Sequence, residues 1–133
     1  MAAFSMKFDS ITDGELSILQ IIWEQVAPTS RDITTVLYEE FSDSKMASVQ
    51  KLLERLETKG FVERDRSERA HRFRALVSHE QFLTSQLGAV ADRLCEGELT
   101  PLVTTLLKSK EISRKDRAQL RELIDQLWPP KKK

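Results

Sequence analysis

Apolar residues recur at helical spacing in six stretches of this 133-residue chain and at alternating spacing in one. In the first stretch Leu16, Leu19, Trp23 and Val26 form a stripe that Ile18, Ile21 and Ile22 widen, which predicts a mostly buried helix. Thr12 and Glu15 stand before it at capping-box spacing, where hydroxyl and carboxylate each satisfy a free backbone N–H. Ala27-Pro28 stops this helix. Thr29 and Asp32 repeat the capping-box spacing, and Ile33, Val36, Leu37 and Phe41 line a second helix that ends at Ser42-Asp43-Ser44. A third helix from Lys45 buries Val49, Leu52, Leu53 and Leu56 and turns Ala47, Gln50, Lys51 and Glu54 outward. Gly60 ends it, because glycine accepts the left-handed conformation that a helix C-terminus needs.

Two strands follow, Phe61 to Arg66 and His71 to Val77, joined by a turn at Ser67-Glu68-Arg69-Ala70. In the second strand His71, Phe73, Ala75 and Val77 share one face and Arg72 and Arg74 the other, the period-2 pattern of a half-buried strand. Three helices and then a basic ribbon is the order of a winged helix-turn-helix. After Val77 the pattern is helical only. Ser78 and Gln81 make a third capping box, and Leu83, Leu87, Val90 and Leu94 recur at spacings of four and three, as in a seam against a partner helix. Gly97 interrupts. A short helix carries Leu99, Leu102, Val103, Leu106 and Leu107, with Pro101 in its first turn. A last one opens at Ser113 with Asp116 and carries Leu120, Leu123, Ile124 and Leu127. Residues 1 to 10 and Lys131 to Lys133 read as tails.

The predicted fold is therefore mainly α with a small antiparallel β-hairpin: a winged helix-turn-helix over residues 1–77, then a three-helix region over 78–133. A segment of roughly 55 residues cannot easily bury three such wide stripes within itself. The dimer interface is accordingly expected on Leu83, Leu87, Val90, Leu94, Leu102, Leu106, Leu120, Leu123, Ile124 and Leu127. Folding back on the N-terminal unit is the alternative.

Composition is that of an ordinary globular chain, 40% hydrophobic and 32% charged. No apolar run approaches the ~18 residues of a membrane span, and the N-terminus lacks a signal pattern, so no membrane insertion and a cytoplasmic location are expected. The single cysteine, Cys95, agrees with a reducing compartment. Net charge is zero, yet its distribution is uneven. Residues 1–43 hold two basic residues against eight acidic, and residues 44–77 hold nine against five. A phosphate backbone calls for such a concentration of positive charge on one structural unit. A merely solvated hairpin would show it as well.

Base edges are approached by the N-terminal residues of a recognition helix, here Ala47, Ser48, Gln50 and Lys51. Gln pairs with adenine and Lys with guanine, Ala47 can touch a thymine methyl, and Ser48 both donates and accepts. Arg55, a turn further on, suits phosphate. In the wing Arg69, Arg72 and Arg74 are candidates for phosphate or minor-groove contact, with Glu63, Asp65 and Glu68 placed to neutralise several of them. Arg31 and Lys45 are weaker candidates. His71, His79 and Cys95 match no zinc spacing, and no catalytic or phosphate-loop motif is present. No enzyme, metal or cofactor is expected.

The run ITDGELSILQIIW, the helix end LLERLETKGFVERD, the hairpin end RAHRFRALVS and the late segment GELTPLVTTLLKSKEISRKDRAQLRELIDQL together resemble the penicillinase-repressor (BlaI/MecI/CopY) family of bacterial transcription regulators. The resemblance implies a homodimeric repressor on a palindromic double-stranded operator, released when a sensor protease leads to cleavage within the dimerisation part. The Asn-Phe bond cut in β-lactam-responsive relatives falls on Thr105-Leu106, and neither residue matches. The paired cysteines of the copper-responsive branch have no counterpart after Cys95. The reading from another class is a winged helix used as a protein-interaction module, which should present apolar residues on the outer face of the third helix, where Ala47 alone is apolar.

Overall fold

The structure is a computed structural model and describes residues 10–109 and 111–131. Most of the two expected tails falls outside them. In chain order the elements are α1 (Asp13–Glu24), α2 (Ser30–Tyr38), α3 (Asp43–Thr58), β1 (Val62–Asp65), β2 (Arg72–Ala75), α4 (His79–Leu94), α5 (Thr100–Lys108) and α6 (Arg114–Leu127). No helix among the described residues is long and apolar enough to cross a membrane.

The chain divides into two compact units, one ending at Leu87 and one beginning at Gly88. The first unit is built by local signals that the sequence displays openly. Thr12 and Glu15 form a reciprocal capping box at the start of α1, as do Thr29 and Asp32 at α2. Ile18, Leu19, Ile21 and Ile22 of α1 are buried with Ile33 of α2 and with Val49, Leu53 and Leu56 of α3. At the end of α3, Gly60 takes φ +85°. Its N–H donates to the Glu57 carbonyl at 3.1 Å, and the N–H of Phe61 to that of Leu56 at 2.9 Å, the paired bonds of a Schellman cap. Phe61 and Leu56 are both fully buried, so the cap also delivers the chain into β1 with an aromatic anchor in the core.

β1 and β2 pair antiparallel, Val62 opposite Ala75 and Asp65 opposite Arg72. The turn has neither Gly nor Asn; Asp65 organises it instead, its side chain accepting the Ser67 N–H at 2.9 Å. That bond, with the positive charge of Arg74 and Arg72 nearby, holds the Asp65 carboxyl below its ordinary pKa. A feature with no local signal completes the hairpin. Thr29, in the link between α1 and α2, bridges to Arg72, and the Phe73 N–H donates to the Pro28 carbonyl at 3.0 Å. The ribbon is thereby pinned to the helical core. Three helices and a two-stranded wing are the parts of a winged helix-turn-helix.

Several expected boundaries shift. Val26 is 96% exposed and lies beyond α1, so it belongs to no buried stripe. Glu39 turns left-handed at φ 60° and ends α2 there, which leaves Phe41 off the helix, with the Arg31 guanidinium 4.1 Å from its ring centre. Ser42 does not close α2. It caps α3, accepting the Lys45 N–H at 3.2 Å, so the polar run forms the cap and first turn of α3. Finally, the first unit reaches beyond residue 77. Ser78 and Gln81 cap α4 reciprocally, and Phe82 is buried against Phe61 and Trp23 at ring separations of 5.9 and 5.7 Å. Trp23 Nε1 also donates to the Val77 carbonyl at 2.8 Å. The opening turns of α4 thus pack within this unit.

In the second unit Ala91 is buried. Gly97 at φ +83° ends the stretch after α4, its N–H donating to the Ala91 carbonyl at 2.9 Å. Pro101 sits in the first turn of α5, and Ser113 caps α6. No residue of α5 or α6 among those described is buried.

Candidate nucleic-acid interface

Burial of Val49, Leu53 and Leu56 fixes which side of α3 faces water. On the opposite side Ala47, Ser48, Gln50, Lys51 and Arg55 are all exposed. None of the five has a carboxylate within ion-pair distance among the described residues, and the Ser48 hydroxyl reaches only the Ser44 carbonyl, at 3.4 Å. The first two turns of α3 therefore present a small, polar surface whose donors are available to a ligand.

The wing arginines are far from equivalent. Arg74 pairs with Glu63, the residue opposite it in the sheet register. Arg72 is half-buried; it pairs with Glu68 at 3.3 Å, and its Nη1 donates to the Ala27 carbonyl at 2.9 Å. It fastens the ribbon to the α1–α2 link and has little left to offer a ligand. Arg64 and Arg66 both lie against Glu57, at 3.3 and 3.5 Å, and the Arg64 guanidinium stacks 4.8 Å from the Phe73 ring centre. Arg69, at the exposed turn, has no carboxylate partner among the described residues. Of the three wing arginines expected at the interface, Arg69 alone is thus unneutralised, because Glu63 and Glu68 are spent on the other two.

Arg69 faces a groove that sequence reasoning did not anticipate. It has a volume of about 390 Å³ and lies between the start of α2, the outer side of α3 and the hairpin turn. Ser30, Arg31, Gln50, Arg64, Arg69 and His71 help to line it, and no carboxylate among the described residues takes part. Arg31 is exposed and held against Phe41 without an acidic partner among the described residues. His71 Nδ1 lies 3.4 Å from Arg64 Nη1. Lys45 pairs with Glu40 and lies over Tyr38, so it is spent locally.

Elsewhere, the residues expected at a dimer interface are mostly open to water in the single chain. Leu83, Leu87, Leu94, Leu106, Leu120, Leu123, Ile124 and Leu127 are all exposed, Leu94 to 66%; Val90 and Leu102 are half-buried. The Thr105-Leu106 bond lies inside α5, where the Thr105 hydroxyl donates to the Pro101 carbonyl at 2.8 Å. His79 packs against Trp23 at a ring separation of 4.9 Å.

The penicillinase repressor of Staphylococcus aureus is 22% identical over 119 residues, covering 88% of this chain and 92% of that protein. An uncharacterized 16.5 kDa protein of Latilactobacillus sakei is 23% identical over 116 residues, 87% of this chain and 79% of its own. The solved structure of a mutant of Lactococcus lactis ZitR aligns with a TM-score of 0.45 at 17% identity, over 92% of this chain and 77% of that one. The penicillinase repressor family model matches residues 11–126. The chain accordingly belongs to the penicillinase repressor family, a group of winged-helix transcriptional regulators.

Proposed function

We propose that this chain is a sequence-specific DNA-binding repressor that acts as a homodimer on a palindromic operator. The observation that carries this reading is the outer face of α3: Ala47, Ser48, Gln50 and Lys51 stand exposed on the first two turns, without acidic partners among the described residues, beside Arg69, which has none there either. A recognition helix needs such a face at its N-terminal end to reach base edges in the major groove. The unpartnered leucines of α4, α5 and α6 support a second copy as their cover, since burying each would contribute roughly 1.5–3 kcal/mol. Two copies related by a two-fold axis read two half-sites, which is why a palindrome is the matching target. The same reading puts the protein with the chromosome in the bacterial cytoplasm. Release by a sensor protease would require α5 to unwind around Thr105-Leu106, because proteolysis acts on locally opened chain.

Fluorescence anisotropy against the chain's own upstream DNA and a scrambled duplex, across a salt series, tests the proposal. Specific repressors prefer their site by about 10³-fold or more. Equal and weak binding to both duplexes at every salt concentration would refute it and favour a protein-interaction module.

A further inference from the structure

Most arginines of the hairpin are neutralised within the fold: Arg74 by Glu63, Arg72 by Glu68, and Arg64 and Arg66 by Glu57. Among the described residues, Arg31 and Arg69 are the exceptions around the groove between α2, α3 and the hairpin turn, which no described carboxylate lines. Three guanidinium groups around one small space repel one another, and among the described residues only Arg64 has a counter-charge, that of Glu57. An anion in the groove would relieve that repulsion.

We propose that this groove is a phosphate-binding site in which the guanidinium groups of Arg31 and Arg69 take the phosphate oxygens. The donors come from three different elements, Arg31 and Ser30 on α2, Gln50 on α3 and Arg69 at the hairpin turn. A planar carboxylate is satisfied by one guanidinium fork. Donors converging from several directions suit a tetrahedral anion with three free oxygens. Arg31 is pre-positioned, since its guanidinium rests on the Phe41 ring, and an arginine already held in place loses less freedom on binding. The groove borders the face of α3 that carries Gln50, so a duplex phosphate seated there would set the depth and register of the helix, the positioning role that backbone contacts serve. The duplex as the source rests on the function proposed above. The site itself rests on the groove and would equally admit a free phosphate compound.

The test uses the full chain and the R31A/R69A double variant, with R31K/R69K as the charge-preserving control. Both side chains are exposed, and thermal melts establish that the variants fold. In the first arm, pyrophosphate at constant ionic strength is followed through the backbone amide resonances of Ser30, Ala70 and His71. A free-anion site gives saturable shifts in the wild type and in the lysine variant, weakened about tenfold or more in the alanine variant. In the second arm, a neutral methylphosphonate replaces one phosphate at a time along the operator. A duplex source gives one position per half-site at which wild-type affinity falls about tenfold while the alanine variant is unaffected. At that position the salt slope also drops by about one. A response in either arm supports the site and names its source. Absence of saturable shifts together with equal methylphosphonate losses in wild type and alanine variant overturns it. If the wild type fails to distinguish operator from scrambled DNA, the reading of function fails and the pyrophosphate arm alone decides the site.

Discussion

Glu15 and Lys59 form an ion pair that ties the start of α1 to the end of α3: Lys59 Nζ stands 2.7 Å from Glu15 Oε1, and Glu15 is fully buried. The same oxygen accepts the Thr12 N–H at 2.9 Å, so one carboxylate closes a helix cap and neutralises a lysine. Lys59 also donates to the Ser10 carbonyl at 2.7 Å. Burial pushes the Glu15 carboxyl up, but the Lys59 hydrogen bond and charge and the Thr12 hydrogen bonds outweigh it and leave the pKa lowered. Since Oε2 is buried with no hydrogen-bond partner among the described residues, the stabilisation falls on Oε1.

A lowered folded-state pKa makes the stability contribution of Glu15 complete above the ordinary carboxylate range. The contribution is lost as pH falls through the lowered value. The variant E15Q should therefore unfold at lower urea than the wild type at neutral pH, with the gap narrowing in acid. Replacing Lys59 with Met should cost about 3 kcal/mol at neutral pH, because it strands a buried carboxylate. Urea midpoints across a pH series measure both. A gap that stays constant down to strongly acidic pH would contradict the assignment.

Gly60 isolates a backbone effect. It sits at φ +85°, and a Cβ there would meet nothing within 4 Å. G60A should cost only the left-handed penalty of about 1–2 kcal/mol and leave DNA affinity per folded molecule unchanged. A much larger loss by denaturant titration would mean that alanine breaks the Schellman cap rather than merely straining it.

The wing arginines should separate by their partners. R69A should weaken operator binding and lower the salt slope by about one, because no carboxylate among the described residues neutralises that charge. R74A should have a smaller effect, its charge being offset by Glu63. R72A should act first on stability, since its guanidinium holds the Ala27 carbonyl and the pinned edge of the ribbon. Anisotropy titrations and thermal melts on the three variants give this ordering directly. Equal salt slopes for R69A and wild type would remove the wing turn from the interface.

Charge placed at exposed apolar positions of α4 and α6 should dissociate the proposed dimer. L94E and L123E should sediment as monomers while the first unit keeps its melting transition, and either variant remaining dimeric would move the interface elsewhere. F82A differs in kind. It excavates the aromatic cluster with Trp23 and Phe61 and should destabilise the first unit by about 3–5 kcal/mol.

Much of the fold was legible because its signals are local. Capping boxes at Thr12, Thr29 and Ser78 span three residues each, and the Gly60 stop needs one. The structure places all of them as expected. What the sequence concealed is either non-local or a choice between equivalent local options. Ser42 suits a helix start as well as it suits a break, and Glu39 carries no mark of its left-handed turn. The Thr29–Arg72 bridge and the Glu15–Lys59 pair join residues more than forty positions apart, beyond any periodicity. The candidate site divides in the same way. Outward positions on α3 follow from helical angle, whereas which arginines remain unneutralised depends on strand register and on Glu57, a residue of another element. Arg31 reached the groove through the placement of α2, which no spacing announces.

The indole of Trp23, hydrogen-bonded to the Val77 carbonyl, has a practical consequence. The chain contains two tryptophans, and they fall in different units: Trp23 at the seam between α1 and the start of α4, and Trp128, 71% exposed, just after α6. Each unit thus carries its own intrinsic fluorophore. With W128F, emission reports whether α4 is seated on the winged helix; with W23F, it reports whether the last helix is covered. The seating of α4 and the covering of α6 can then be followed optically as separate events in an unlabelled protein.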